Sequence, residues 1–501
     1  MIVRRRDANK RIRSMHHVVE PAAAAAAPPL PHSSGNLLRV TLVSLVSALG
    51  GFLFGYETVV IAGALGLVKA QFGFGAVMEG WFVTSGLFGC AAGVLIAGRL
   101  CDRLGRKPVM LLSGFLLGLC AAICALAPTA DWVVAGRIIG GLGVGVASIV
   151  SPLYISEIAP PEVRGRLVSL FQLTICVGIV TAMLVNALLL NFALANQAVD
   201  GAGLVHWLTI AEPWRGMFLT QLVPALLLFL LAFAVPESPR WLALAGKADT
   251  ARSVLGWLRG SDAAARTELA QIVDAAGAEP AAVSRKWWRG ALRRPLFLGI
   301  FLAVFSELSG ITVVMYYGPT ILERAGISAG SSLGGHAIIG IVLALFTVVS
   351  LFVVDRFGRR PVLLTGCAGA GAALAATGAC FAFGIRDGAV IIAMLCAFVA
   401  FFAFSLGPIK WIVISEIFPT NVRARAMGIA TVAVWITDIA INQAFPVVRD
   451  SFGVSAMFLI CAIFLAIQFV VVLTKLPETN GLPLEDILSL WDSDTQKGRS
   501  A

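Results

Sequence analysis

ISEIAPPEVRGR, the stretch from Ile155 to Arg166, returns as ISEIFPTNVRAR between Ile414 and Arg425. Eight of the twelve positions are identical, at a constant offset of 259 residues. A second phrase agrees with this repeat, because GRLCDRLGRKP from Gly98 returns in shorter form as VDRFGRRP from Val354. Both phrases keep their order along the chain. The chain is therefore a duplication of one unit.

The composition excludes an ordinary soluble enzyme. Of the 501 residues, 58% are hydrophobic and 13% are charged, whereas soluble domains carry about 25% charged residues. The formal net charge of +10 arises from Lys and Arg concentrated in alternate loops, which is typical of a multi-pass membrane protein. Since these residues do not gather on one surface, we expect no nucleic-acid partner.

Twelve apolar stretches are long enough to cross a bilayer, which takes about 20 residues each. The predicted spans are residues 38–67, 79–98, 108–127, 131–156, 166–192, 216–235, 295–324, 332–354, 361–384, 388–415, 422–445 and 453–475. The duplication assigns six spans to each half. We therefore predict an all-α membrane protein with twelve transmembrane helices in two pseudo-symmetric six-helix bundles, together with short cytoplasmic helices.

The domain boundaries follow from these spans. We expect, in order, a disordered basic N-terminus, a first bundle, a cytoplasmic helical linker, a second bundle and a C-terminal tail, at residues 1–36, 37–236, 237–294, 295–476 and 477–501. Arginines crowd the loops on one side, and the opposite loops offer little beyond Lys69, Arg215, Arg324, Arg386 and Arg449. Because basic loops stay in the cytoplasm, we place both termini there. We expect a monomer in the cell inner membrane.

Motifs for enzymatic or ATP-driven chemistry are missing from the sequence. AGKADT at Ala245 lacks the glycine spacing and the Ser or Thr of a phosphate loop. The nine cysteines show neither metal nor disulfide spacing. We predict a protein that is not an enzyme, has no cofactor or metal, and draws its energy from a gradient.

Ionisable residues inside apolar segments are site candidates, because charge in the hydrocarbon region is unfavourable. Glu57 lies in the first predicted span and Arg137 in the fourth. A nearby arginine favours the carboxylate, whereas burial without it favours the protonated acid. Motion that separates the two would load a proton, so we predict proton coupling at Glu57 and Arg137. The alternative is a permanent structural ion pair.

Eight phrases in order resemble the sugar porters of the major facilitator superfamily, between Ser47 and Glu478. They are GGFLFGYE from Gly50, GRLCDRLGRKP from Gly98, GRIIGGLGVGVASIVSPLYISEIAP from Gly136, PESPRWL from Pro236, GITVVMYYGP from Gly310, VDRFGRRP from Val354, GPIKWIVISEIFP from Gly407 and LPETNG from Leu476. At the position of Glu57, members resembling the bacterial proton-coupled xylose carrier have an aspartate, and facilitative glucose carriers have an uncharged residue. The resemblance implies sugar transport by alternating access.

The repeated loops carry acids and bases at matching places. These are Asp102, Arg103, Arg106, Glu157 and Arg164 in the first half and Asp355, Arg356, Arg359, Glu416 and Arg423 in the second. Ion pairs among them could latch the cytoplasmic ends of the two bundles, and breaking the pairs would let the bundles rock. We predict a gating role. The alternative is that these charges serve only membrane topology.

The resemblance also implies a substrate pocket. The residues that match pocket positions of the family are Gln172, Tyr316, Tyr317, Trp411 and Trp435. Amide groups suit sugar hydroxyls, and aromatic faces suit sugar C–H groups. The chain departs from the family at Ser306, Glu307, Thr312, Lys410 and Asp438. Sugar porters usually have a Gln pair and an Asn at the first three, a small or neutral residue at the fourth, and an Asn at the last.

Two interpretations of the added charges compete. Lys410 could pair internally with Glu307 or Asp438, or it could bind the carboxylate of a sugar acid or cyclic acid. Two nearby acids would oppose an anion, so we favour a neutral monosaccharide or polyol such as an inositol. An amino sugar is a further alternative. We predict proton-coupled symport, with facilitative uniport and a non-transporting nutrient sensor as alternatives.

Overall fold

A computed structural model describes residues 34–198, 201, 203–277, 292–385, 387–418 and 420–478. The N-terminus predicted as disordered, up to residue 33, and the tail from residue 479 lie outside these residues. All regular structure in the described part is helical. The first half contains α1 (Ser34–Phe72), α2 (Ala76–Leu104), α3 (Arg106–Leu126), α4 (Ala130–Ile158), α5 (Pro161–Ala195), a turn (Leu204–His206) that continues as a π-helical turn (Trp207–Ala211), α6 (Pro213–Thr220) and α7 (Leu222–Ala234).

Three short helices follow, and then the second half. The short helices are α8 (Pro239–Leu244), α9 (Ala248–Arg259) and α10 (Asp262–Gly277). The second half contains α11 (Arg293–Leu308), α12 (Ile311–Arg324), α13 (Ala329–Phe357), α14 (Arg359–Ala382), α15 (Gly388–Phe401), a π-helical turn (Phe402–Leu406), α16 (Gly407–Glu416) and α17 (Thr420–Lys475).

Within the described residues, eleven helical segments are long and apolar enough to cross a membrane. The last of them, Arg425–Lys475, has 51 residues. At 1.5 Å per residue it would run about 77 Å, more than twice the roughly 30 Å of a hydrocarbon core. Gly453, with φ 83° and ψ 166°, breaks its helical path. Two crossings therefore share this segment, and the predicted all-α fold with twelve crossings is confirmed.

Some of the predicted spans, and one predicted gap, differ from the structure in their continuity. The predicted span 295–324 is broken between α11 and α12, where Gly310 takes the left-handed conformation with φ 83°. The predicted span 388–415 contains the π-helical turn Phe402–Leu406, just before Pro408, which has no N–H to donate. The predicted gap after residue 445 is helical up to Gly453. Hydropathy fixed the lengths of these spans, but it carries no information on backbone dihedral angles.

The two halves meet along three pairs of helices, and this contact creates the site. α1 packs against α12, α2 against α17, and α5 against α13. Within the first half, α2 and α4 approach closely, because a Cβ on Gly141 would lie 2.0 Å from the carbonyl oxygen of Gly86. α1 also packs against α4, and this contact places Arg137 beside α1.

The short helices pack against one end of the first half. Arg259 at the end of α9 donates a hydrogen bond from Nη1 to the carbonyl oxygen of Ile158, at 2.9 Å. The carbonyl oxygen of Arg259 accepts a hydrogen bond from Asn36 Nδ2, at 2.5 Å. This end also carries the basic loop that joins α2 to α3. We call it the basic end, and the other end the opposite end.

Candidate functional site

A cavity of about 160 Å³ lies between the two halves. Its volume is several times the roughly 30 Å³ of one water molecule, so a small solute fits. The residues that line it are Phe54, Glu57, Thr58, Gly86, Leu87, Cys90, Arg137, Gly141 and Val144 from the first half and Thr312, Tyr316, Trp435 and Asp438 from the second. The predicted proton-coupling pair thus faces the same cavity as four of the predicted substrate residues.

Glu57 and Arg137 are in contact across the first half. Arg137 Nη1 donates a hydrogen bond to Glu57 Oε1 at 3.1 Å, and both side chains are buried. Cys120 Sγ lies 3.8 Å from the other carboxylate oxygen. Arg137 Nε has no hydrogen-bond partner among the described residues. The contact is a single hydrogen bond rather than the two-fold bond of a strong Arg–carboxylate pair, so the two groups can separate.

The charges of the second half divide into a pair and a separate carboxyl. Lys410 Nζ donates a hydrogen bond to Glu307 Oε1, and both side chains are 6% exposed. Asp438 Oδ1 accepts a hydrogen bond from Thr312 Oγ1 at 3.2 Å. Thr312 Oγ1 in turn accepts one from Asn442 Nδ2 at 2.9 Å. Lys410 is therefore occupied by Glu307, and Asp438 is the member of this group that faces the cavity.

The other predicted substrate residues do not line this cavity. Gln172 is exposed on α5. Ser306 donates a hydrogen bond to the carbonyl oxygen of Leu406 at 3.4 Å, and Tyr317 donates one to that of Asn442 at 2.9 Å. The ring of Trp411 lies beside Lys410, with the ammonium 5.6 Å from its centre. Ser306 thereby ties α11 to the π-helical turn Phe402–Leu406, and Tyr317 ties α12 to α17.

The predicted gating residues of the first half form an ion pair within that half. Glu157 accepts hydrogen bonds from Arg106 Nε and Nη2, at 2.9 and 2.8 Å. Ser238 Oγ donates a further hydrogen bond to Glu157, at 2.6 Å. Arg164 donates to the carbonyl oxygen of Ala159 at 3.4 Å. Of the other two gating residues, Arg103 is exposed and the carbonyl oxygen of Asp102 accepts a hydrogen bond from Trp241.

The second half repeats this arrangement. Arg359 Nη2 lies 3.1 Å from Glu416 Oε1, and Arg423 donates to the carbonyl oxygen of Phe418 at 3.4 Å. Arg356 lies over the ring of Phe357, and the side chain of Asp355 is outside the described part. Each of these two Glu–Arg pairs thus joins helices of one half.

Two further glutamates of the basic end were not singled out from the sequence. Glu237 accepts hydrogen bonds from the backbone N–H of Arg106 and Lys107, at 2.8 and 3.2 Å. Both N–H groups belong to the first turn of α3, whose amides have no partner within the helix. A carboxylate is well suited to such a helix N-terminus.

Glu478 has the same role in the second half. It accepts hydrogen bonds from the backbone N–H of Arg359 and Arg360 in the first turn of α14, at 2.9 and 3.0 Å. The sequence carries a signal for this shared role, since Pro-Glu occurs in both PESPRWL and LPETNG, where the glutamates are Glu237 and Glu478. Gly105 and Gly358 make room for the two carboxylates, with φ +98° and +84° and with hypothetical Cβ atoms 2.2 and 2.9 Å from the nearest carboxylate oxygen.

At the opposite end an ion pair crosses between the halves. Arg449 Nη1 and Nη2 donate to the two carboxylate oxygens of Glu79, at 2.6 and 2.8 Å, and both side chains are 0% exposed. Lys69 also contacts Glu79, and Asp450 contacts Arg449. We call these four residues the junction. Lys69 and Arg449, predicted as loop charges, both contact Glu79. A glutamate inside a predicted span is the sequence signal for such a buried partner.

Comparisons with known proteins agree with this architecture. The family model described as Sugar (and other) transporter matches residues 43–491. The arabinose-proton symporter of Bacillus subtilis (strain 168) is 37% identical over 460 residues, covering 92% of this chain and 96% of the relative. The D-xylose-proton symporter of Escherichia coli (strain K12) is 32% identical over 498 residues, covering 92% and 98%.

Solved structures of the xylose transporter XylE from E. coli are also similar. The inward open conformation covers 90% of this chain and 100% of its own, with a TM-score of 0.77 and 29% identity. The XylE structure bound to 6-bromo-6-deoxy-D-glucose covers 91% and 100%, with a TM-score of 0.69 and 30% identity. The chain therefore belongs to the sugar (and other) transporter family, as a multi-pass membrane protein with the major facilitator fold.

Proposed function

We propose that the protein is a proton-coupled symporter of a monosaccharide or related polyol, such as an inositol, and that it works by alternating access. The relatives named above are symporters of arabinose or xylose with protons. The observation that carries the proposal is the shared cavity, which is lined by Glu57 and Arg137 from one half and by Tyr316, Trp435 and Asp438 from the other. Proton and substrate therefore meet in one space.

The coupling step takes place at Glu57. When Glu57 binds a proton, it loses the charge that attracts Arg137, so their single hydrogen bond weakens. Arg137 is then free to donate to solute or water in the cavity, because its Nε has no partner among the described residues. Return of Arg137 to the carboxylate expels the proton.

The charges around the cavity favour a neutral substrate over an acid. Lys410 already pairs with Glu307, so it is not available to a substrate carboxylate. Asp438 faces the cavity and would repel an anion. Its carboxylate can instead accept hydrogen bonds from hydroxyl groups, while Tyr316 and Trp435 offer apolar faces to the C–H groups of a sugar ring.

The junction and the basic end act as opposite gates. The junction holds the halves together at the opposite end, and the higher TM-score of 0.77 is with the inward open form of XylE. Both facts support an inward-facing state. The excess of arginine in the loops of the basic end supports a cytoplasmic location for this end and for both termini. In the outward-facing state the gating residues around Glu157 and Glu416 latch the cytoplasmic ends, and the monomer completes the cycle.

Uptake into proteoliposomes tests the proposal. L-arabinose, D-xylose, D-galactose, D-glucose, myo-inositol and D-galacturonate are offered with and without an inward proton gradient. We expect the gradient to drive accumulation of at least one neutral solute. Glu57→Gln should lose this accumulation and keep exchange, whereas Asp131→Asn, a carboxyl-to-amide control at the exposed start of α4, should keep both.

Other outcomes would contradict separate parts of the proposal. Equal uptake with and without the gradient would indicate the uniport alternative. Accumulation of galacturonate alone, lost in Lys410→Ala, would contradict the preference for a neutral solute. Binding without uptake of any solute would indicate a sensor.

A further inference from the structure

The second half buries one more negative charge than positive charge beside the cavity. Counted over the whole residue, Glu307, Lys410 and Asp438 are 4%, 5% and 7% exposed. Lys410 is paired with Glu307, and Asp438 accepts from the neutral hydroxyl of Thr312. Two carboxylates and one ammonium leave an excess of one negative charge. A buried charge without a counter-ion is strongly unfavourable within a membrane.

Groups on six helices face Asp438, and their charges do not remove this excess. The ionisable ones are Glu57 on α1, Cys90 on α2, Arg137 on α4, Glu307 on α11, Tyr316 on α12 and Lys410 on α16. The cations of this set are Arg137 and Lys410. Each of them already forms an ion pair, with Glu57 and with Glu307. Within the described residues both of these cations are thus already paired, which leaves the cavity as the source of a counter-charge for Asp438.

A proton is the counter-charge that the geometry favours. The carboxylate of Glu307 lies close enough to Asp438 for the two negative charges to repel each other. Two carboxyls at such a distance share one proton, because both cannot be ionised at low cost. Asp438 lines the same cavity as Glu57, so water in that cavity can deliver the proton to a carboxylate oxygen and later accept it again.

We propose that Asp438, together with Glu307, binds a second proton that moves with the substrate, so that each half brings its own proton-binding carboxyl to the shared cavity. The binding of the proton stands on the buried cluster itself. Its movement with substrate rests on the symport proposed above.

Infrared spectroscopy tests the binding without any substrate. The carbonyl stretch of protonated carboxyls is followed during a pH titration of the full-length protein in lipid nanodiscs. We expect two buried carboxyls to titrate in the wild type, one of which is lost in Asp438→Asn and the other in Glu57→Gln. Asp438→Glu, which keeps a carboxyl, should retain both. An Asp438→Asn spectrum identical to that of the wild type would contradict the proposal.

The coupling is tested by the ratio of inside to outside substrate concentration at which net flux stops. With a gradient of one pH unit and no membrane potential, net flux should stop at a substrate ratio of about 10 for one proton and about 100 for two, since each proton contributes a tenfold factor. The substrate is the neutral solute with the fastest uptake in the panel. We expect about 100 for the wild type and about 10 for Asp438→Asn.

A wild-type ratio of about 10 would overturn the second coupled proton, even if Asp438→Asn were inactive. A wild-type ratio of 1 alongside two titrating carboxyls would instead reject symport and leave the proton site standing. The two proposals can therefore fail separately.

Discussion

The two ends of the molecule hold their ion pairs in different ways. At the basic end, Arg106 pairs with Glu157 within the first half and Arg359 with Glu416 within the second. At the opposite end, Glu79 of the first half pairs with Arg449 of the second, 370 residues further along the chain. Pairs of the first kind brace each half internally. The pair of the second kind ties the halves together, so it has to break whenever the opposite end opens.

The largest effect is expected from Arg449→Ala in the junction. It leaves Glu79 buried with Lys69 as its remaining partner. We expect the inward-facing state to lose about 3 kcal/mol of stability, the lower end of the range for breaking a buried ion pair. This shifts the equilibrium toward the outward-open state by on the order of a hundredfold. Cys90 lines the cavity, so a membrane-impermeant thiol reagent applied from outside should label it faster.

Two controls sharpen this prediction. Cys90→Ser in the same background should remove the label. Arg324→Ala removes an exposed partner of Asp450 at the same end, and an exposed pair contributes about 1 kcal/mol or less, so labelling should change little. Unchanged labelling in Arg449→Ala would show that the junction does not gate the cavity.

Arg106→Ala should have a smaller effect, and one of a different kind. Glu157 loses its ion pair but keeps the hydrogen bond from Ser238. We therefore expect the free energy of unfolding to fall by about 2 kcal/mol. Since this pair lies within one half, thermal unfolding should shift, and Cys90 labelling from outside should not rise, because loss of the latch disfavours the outward-facing state. Arg99→Ala, an exposed arginine near the same end of α2 that is not among the gating residues, should change neither. Increased labelling in Arg106→Ala would contradict the distinction between the two ends.

Replacing either of the paired glycines of the basic end by alanine should lower the free energy of unfolding by about 1–2 kcal/mol, because a side chain at positive φ is strained. Gly105→Ala should destabilise more than Gly358→Ala, since its Cβ would approach Glu237 to 2.2 Å and that of Gly358 would approach Glu478 to 2.9 Å. Thermal unfolding measures both. Gly98→Ala, in open space on α2, should be neutral or slightly stabilising. The reverse order would mean that Glu478 is held more rigidly than Glu237.

The smallest effect concerns Glu212, in the loop before α6. Burial acts to raise the pKa of Glu212, but hydrogen bonds from Gln71, Trp207 and Arg215 outweigh it and hold the pKa below the usual 4.5. A lowered folded-state pKa means stabilisation that is present above pH 4.5 and lost as the pH falls through the folded value. Glu212→Gln should therefore lower stability by about 0.5 kcal/mol at neutral pH. The difference in melting temperature should shrink below pH 4.5, and a constant difference would contradict this origin.

The sequence was sufficient where a signal is local. Apolar length located the crossings, and the matching charges Glu57 and Arg137 were paired correctly, because an isolated charge inside an apolar span needs a partner. The sequence alone could not show whether Glu307 or Asp438 is the partner of Lys410. All three residues are buried, and the pairing depends on how α11, α16 and α17 pack.

Other features were beyond the sequence for a similar reason. Glu79 and Arg449 lie in different halves, and a charge near the end of a span looks the same whether it faces water or a partner. The break at Gly310 depends on a backbone conformation that glycine permits but does not require. Pairings across the duplication are thus the part of the site that only the fold reveals.

The complete burial of Glu79 and Arg449 has a consequence for the surroundings in which the protein works. Dissolved ions weaken the attraction between exposed charges and reach enclosed ones poorly. The contact between the two halves at the opposite end should therefore be equally strong in dilute and in salty media. The rate at which the opposite end opens is then controlled by the substrate and the proton, independently of the external ionic strength.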